Sequence, residues 1–235
     1  MNNVLPIMRK ELKTYFNSPI AYVVIGVFLL ISGWFMSTNL FLAGTADLRV
    51  LFQIAPLIFM FFAPAITMRL ISEERKSGTI EWLVTMPIRD SEIIVGKFLA
   101  AVVLLATALA FTAPFGIVIS FLGDIDEGPF IGGYLGLLLM GAAYLSIGLL
   151  GSSLTENQVV AFIVGLAISF LFFMFDKVLM YVPPVMGSVL QYLAIDYHFE
   201  NIGRGVIDTR NILYYLSLIV VMLGASVAVL EGRKR

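Results

Sequence analysis

Few side chains in these 235 residues are equipped for chemistry, since there is one histidine and no cysteine. The histidine lies in Asp196-Tyr197-His198-Phe199-Glu200, a run that superficially offers metal ligands or a proton-transfer pair. Spacing argues against that use. On a helix Asp196, His198 and Glu200 point in different directions, and a lone histidine without convergent partners is poor evidence of a site. Ser152-Ser153 offers hydroxyls, but no base neighbours them in sequence, and small residues suit close helix packing. The absence of cysteine removes disulfides, thiolate metal sites and cysteine catalysis. No G-x-x-x-x-G-K-S/T loop occurs, so the chain is not expected to be an ATPase, and any ATP it depends on must be bound by another polypeptide.

What remains is a polar connection, residues 72–97, built for contact rather than catalysis. Ser72-Glu73-Glu74-Arg75-Lys76-Ser77 is expected to carry a membrane helix into water, and Gly78 to break it. Residues 79–86 read as a short second helix, capped by Thr79, with Glu81 at its positive end and Pro87 stopping it. Asp90 or Ser91 is expected to cap the next helix. Ile80, Trp82, Leu83 and Met86 on so short a helix have too few apolar neighbours of their own, so lipid headgroups or a partner protein must cover them. This is the natural dock for a separate ATPase.

The elements that hold this connection are membrane helices. Apolar residues make up 60% of the chain and charged residues 13%, too little polar surface for a soluble domain. Six continuous apolar runs, near 20–41, 51–71, 98–122, 134–154, 158–175 and 212–230, have the ~20 residues that cross a bilayer as helix. They do not alternate as barrel strands do. None carries an ionisable residue in its centre, Arg69 and Asp176 lying at span ends, which disfavours an ion-driven carrier, a charge-selective channel or an intramembrane enzyme.

Arg9, Lys10, Lys13, Arg69, Arg75, Lys76, Arg89, Lys97, Arg233, Lys234 and Arg235 fall on one side of such a topology, eleven of the fifteen basic residues. That places both termini in the cytoplasm of a multi-pass inner-membrane protein. The other side holds Arg49, Lys177, Arg204 and Arg210 beside Asp124-Ile125-Asp126-Glu127. This segregation accounts for the net charge of −1 and gives no reason to expect a nucleic-acid partner.

Two further segments complete the layout. Leu5, Met8, Leu12 and Phe16 recur at helical spacing within residues 1–19, which suits an interfacial helix with its apolar side in lipid and its lysines at the headgroups. Ser18 and Pro19 are suited to start the first span. In residues 176–211, Pro183-Pro184 and a short apolar run suggest a re-entrant or interfacial helix pair. Small residues at four-residue spacing, Ala161, Gly165 and Ser169, then Gly224, Ala228 and Gly232, offer close-packing faces within or between chains.

Met68-Arg69, the run Glu73-Glu74-Arg75-Lys76-Ser77-Gly78-Thr79-Ile80-Glu81-Trp82-Leu83, then Met86-Pro87-Ile88 and Glu92-Ile93-Ile94-Val95-Gly96-Lys97, resemble the ABC-2 type permease family. Residues 197–200 and 203–210 are similar to its gliding-motility-associated branch. The resemblance implies one all-α membrane domain: six transmembrane helices, an N-terminal interfacial helix, a cytoplasmic coupling helix, and external re-entrant helices before the last span. It implies two permease copies, alike or related, on two ATPase subunits that bind ATP and magnesium, and it suggests an accessory subunit with a large external domain. The docking set would be Glu73, Glu74, Arg75, Gly78, Thr79, Ile80, Glu81, Trp82, Leu83 and Pro87. Export is the usual direction for the family. The competing expectation is a membrane anchor that transmits ATPase-driven force to an external partner without transport.

Overall fold

A computed structural model describes residues 3–43, 48–78, 88–122, 127–179, 183–206 and 208–232. The first helix, α1 (Val4–Asn17), leads into α2 (Pro19–Thr38), which runs on through a π turn at Asn39–Ala43. Ser18 Oγ accepts from the Ile20 amide at 3.4 Å and Pro19 occupies the first turn, so α2 starts with its cap as expected. Next come α3 (Arg49–Lys76), α4 (Asp90–Ala110), α5 (Ala113–Leu122), α6 (Glu127–Leu154) and α7 (Gln158–Val178). Two short helices, α8 (Pro184–Leu193) and α9 (Ile195–Gly203), precede α10 (Thr209–Gly232). No strand occurs among the described residues.

Six helical stretches are long and apolar enough to cross a membrane: Pro19–Leu42, Arg49–Lys76, Asp90–Phe121, Gly128–Leu154, Gln158–Val178 and Thr209–Gly232. They match the six apolar runs but extend further. The third differs most, because it starts at Asp90 and breaks at Phe111-Thr112 instead of running unbroken to 122. Pro114 lacks an amide hydrogen and crowds the carbonyl four residues back, and Thr112 Oγ1 closes the turn by donating to the Leu109 carbonyl at 2.6 Å. Neither Asp90 nor Ser91 caps this helix. Arg89 holds the cap position with extended backbone, and Asp90 and Glu92 sit in the positive first turn.

Helices α3, α4 and α6 are the most enclosed, while α2, α7 and α10 keep broad apolar faces outward. Small residues set how closely the inner helices approach. A Cβ on Gly151 of α6 would stand 2.8 Å from the Gly165 backbone nitrogen of α7, so the Ala161–Gly165–Ser169 face packs within the chain. A Cβ on Gly148 would meet Thr67 Oγ1 and the Pro64 backbone of α3. Ser152 locks the same seam: its hydroxyl accepts from the Ile71 and Ser72 amides, each at 3.1 Å, and donates to the Met68 carbonyl at 2.9 Å. The second small-residue row behaves otherwise, since nothing lies within 4 Å of a Cβ at Gly224 or Gly232.

Candidate functional site

Helix α1, the C-terminal end of α3 and the start of α4 gather at one pole of the bundle. Of the ten residues proposed to dock an ATPase, Glu73, Glu74, Arg75 and Gly78 are described, and Thr79, Ile80, Glu81, Trp82, Leu83 and Pro87 lie outside the described residues. Gly78 ends α3 as expected. Its φ of +70° is left-handed, and its amide donates to the Arg75 carbonyl at 3.1 Å while the Ser77 amide donates to Glu73. Glu73 accepts both guanidinium contacts of Arg69 one turn back, at 2.8 and 2.9 Å, and is half exposed.

The end of α3 reaches water at Lys76 and Ser77, as expected, but Glu74 does not. Ser72 is fully buried, and Glu74 turns inward against α1 and α4. Lys97 of α4 is 2% exposed, with its Nζ 2.9 Å from Glu74 Oε1 and 2.9 Å from Glu11 Oε1 of α1. Lys10 Nζ approaches the same two carboxylates from the rim, at 3.3 Å from Glu74 and 3.7 Å from Glu11. Partial burial by itself would lower the Lys10 pKa, but Glu74 and Glu11 outweigh it and hold the ammonium above its ordinary value. A buried ammonium shared by carboxylates from two other helices is costly to separate, because each charge would be left desolvated. Three helices are therefore fastened at one point, one turn before Gly78 ends α3.

The interfacial helix is correspondingly less lipid-facing than its periodicity predicts. Glu11 and Tyr15 are its buried residues, Met8, Leu12 and Phe16 pack on the core, and Leu5 is exposed. Gly96 admits it: a Cβ there would meet Ile7 Cγ2 at 2.8 Å and the Val4 carbonyl at 3.1 Å. Asn3 Nδ2 donates to Glu92 Oε2 at 3.1 Å, and the Tyr15 hydroxyl donates to the Ile66 carbonyl of α3 at 3.1 Å. Burial, reinforced by the Glu11 charge, pushes the Tyr15 hydroxyl's pKa upward, so it remains a donor. Arg9, Lys10 and Lys13 stay exposed, as expected, with Lys10 at the rim of the ion-paired cluster.

Glu11 was the residue that sequence reasoning passed over. Its signal is Gly96-Lys97 paired with an acidic residue on the amphipathic helix, a glycine for close approach followed by a cation for the partner it admits. At the opposite pole, His198 is structural. Its Nε2 donates to the Tyr192 carbonyl at 2.9 Å, Nδ1 meets the Asn211 side-chain amide at 2.8 Å, and its ring stacks on Tyr214 with centroids 3.9 Å apart. The imidazole thus ties α9 to α8 and α10. No cluster of three or more His, Asp or Glu suited to a metal occurs among the described residues.

Six spans around a helical core, with short helices packed at both poles, define an all-helical multi-pass membrane protein. A family model described as ABC-2 family transporter protein matches residues 5–234, and the chain belongs to that family. It is accordingly a membrane permease subunit of an ABC transporter, the part that lacks the ATPase and works with an ABC ATPase partner. A search of the curated proteins gave no match.

Proposed function

We propose that this permease carries cargo outward across a bacterial inner membrane as one of two permease copies, with its termini and the ion-paired pole in the cytoplasm. The segment 79–87 receives the ATPase, with Trp82 as the apolar anchor and Glu81 as a polar contact. ATP and magnesium sit on the partner. ATP binding there closes the ATPase pair and pushes on this segment, and the two permease halves rock between two states that the nucleotide favours unequally.

The observation that carries this reading is the Glu11–Lys97–Glu74 cluster. Glu74 and Lys97 flank the docking segment on its two sides in sequence, and both are held to α1. A push on the segment moves α3, α4 and α1 together, because parting them strands buried charge. The likeness of residues 197–210 to the gliding-motility-associated branch supports an accessory membrane subunit with an external domain.

The test is Trp82→Ala, in a residue outside every span. An aromatic anchor cut to alanine costs about 2 kcal/mol, roughly a thirtyfold loss of affinity. Co-purification of the ATPase, or coupling of its turnover, should fall accordingly while membrane insertion is unchanged. Glu81→Lys should act in the same direction. Unaltered recruitment and turnover in both variants would remove 79–87 as the dock. Turnover in reconstituted membranes that no candidate cargo changes, together with no cargo movement, would favour the anchor reading over transport.

A further inference from the structure

The pole opposite the termini holds a cavity of about 580 Å³ between the first turns of α3, the end of α7, and α9. Its size is within the ~300–1,000 Å³ typical of small-molecule sites. Six charged side chains line it, the cations Arg49, Lys177 and Arg204 and the carboxylates of Asp176, Asp196 and Glu200. Lys177 Nζ lies 2.9 Å from Asp176 Oδ2 and 3.6 Å from Asp196 Oδ2, and Arg204 pairs with Glu200 one turn back. Phe52, Pro56 and Phe199 supply an apolar wall, with the Phe52 and Phe199 rings edge to face at 6.2 Å.

Glycines create this wall. A Cβ on Gly133 would overlap the Phe52 ring at 2.1 Å, and one on Gly136 would meet Phe199 at 2.9 Å. The aromatic pair can therefore sink into α6 and leave the space above it open. Asp196 joins the charge network through its Oδ2, while its Oδ1 is sealed from solvent and has no hydrogen-bond partner among the described residues, so the carboxylate is held with one oxygen inward.

The charge pattern selects the ligand. A simple anion would lie against three carboxylates and a simple cation against three cations. A neutral polar molecule would have to compete with ion pairs already made. A zwitterion exchanges one pair for another without stranding charge. The cavity lies at the ends of membrane spans, the level at which lipid headgroups reside, and its apolar wall suits the start of an acyl chain.

We infer that this cavity binds a zwitterionic head group, an ammonium joined by a short linker to a phosphate, with the ammonium toward Asp196 and Asp176 and the phosphate toward Arg49 and Arg204. The inference does not depend on the ATPase dock or on the direction of transport.

The purified permease in detergent, followed by native mass spectrometry, gives the test. Its probes are phosphatidylethanolamine, phosphatidylglycerol and diacylglycerol. Phosphatidylethanolamine should be retained about tenfold more strongly than either of the others, a difference of about 1.4 kcal/mol. Arg204→Gln and Asp196→Asn should each abolish that preference. Arg204 is mostly exposed, so its variant keeps the fold and decides the matter even if Asp196→Asn is unstable. Adding free phosphoethanolamine separates the sources. Displacement of the lipid at millimolar concentration supports a soluble zwitterion as a sufficient ligand, and persistence of the lipid supports the phospholipid itself. Equal retention of the three lipids, or a preference unchanged in Arg204→Gln, would overturn the inference.

Discussion

Lys97 sits between two carboxylates with almost no access to water, and its removal leaves both without their buried cation. Breaking a buried pair by deleting one partner costs about 3–5 kcal/mol. Lys97→Met should therefore lower the thermal midpoint of the detergent-solubilised protein by several degrees. Glu11→Gln combined with it should cost less than the sum of the two, since each acts on the same cluster. Additive losses would show that the three charges do not act together. Asp196 permits a second prediction at this scale. Burial raises its carboxyl to about 6, against the opposing pull of Lys177. The folded protein then holds this proton at a pH where the unfolded chain has released it. Stability falls as pH rises from about 4 to about 6 and is level above. Asp196→Asn should flatten that part of the profile of thermal midpoint against pH, and an unchanged slope would assign it to other groups.

Among the helices, approach distance is set by glycine where backbone meets backbone. Gly151→Ala places a methyl 2.8 Å from the Gly165 backbone nitrogen and 2.9 Å from the Ala161 carbonyl, neither of which can swing away. Overpacking of this kind costs about 1–3 kcal/mol. Gly224→Ala is the matched control, because nothing lies within 4 Å of the added methyl and alanine favours the helix. The first variant should lower the thermal midpoint and the second leave it level or slightly raised. Equal behaviour would mean that α6 and α7 do not depend on this contact. The same logic explains α1: Gly96 opens the seat, Ile7 fills it, and Glu11 then meets Lys97.

For the whole molecule, the segregation of basic residues predicts opposite exposure of the two poles. The chain has no cysteine, so single cysteines can be introduced without removing any. Glu200→Cys should react with an impermeant maleimide on intact cells, and Ile80→Cys only after the membrane is opened. Labelling of Ile80→Cys from outside would invert the topology and with it the proposed dock. Because the sequence lacks a phosphate loop, the purified chain alone should show no ATP turnover above that of a mock preparation. Turnover that persists after contaminating ATPases are removed would contradict a separate ATPase.

Hydropathy alone determined the number and order of the spans, because ~20 apolar residues in sequence suffice to define a crossing whatever lies beside them. Local chemistry determined the Ser18-Pro19 start of α2 and the Gly78 stop of α3, since caps and left-handed turns are decided within a few residues. The inward turn of Glu74 and the role of Glu11 were not legible in the sequence. Those two carboxylates are 63 residues apart in number, and a charge on a helix looks equally suited to water or to a buried partner until the neighbouring helices are placed. The contact between the Thr112 and Tyr134 hydroxyls, 3.0 Å apart, depended on two helices meeting, and the mixed-charge cavity on three separate helices meeting at one pole. Such arrangements are properties of packing, in which groups distant in sequence share one dielectric and one set of partners, and only the tertiary structure fixes them.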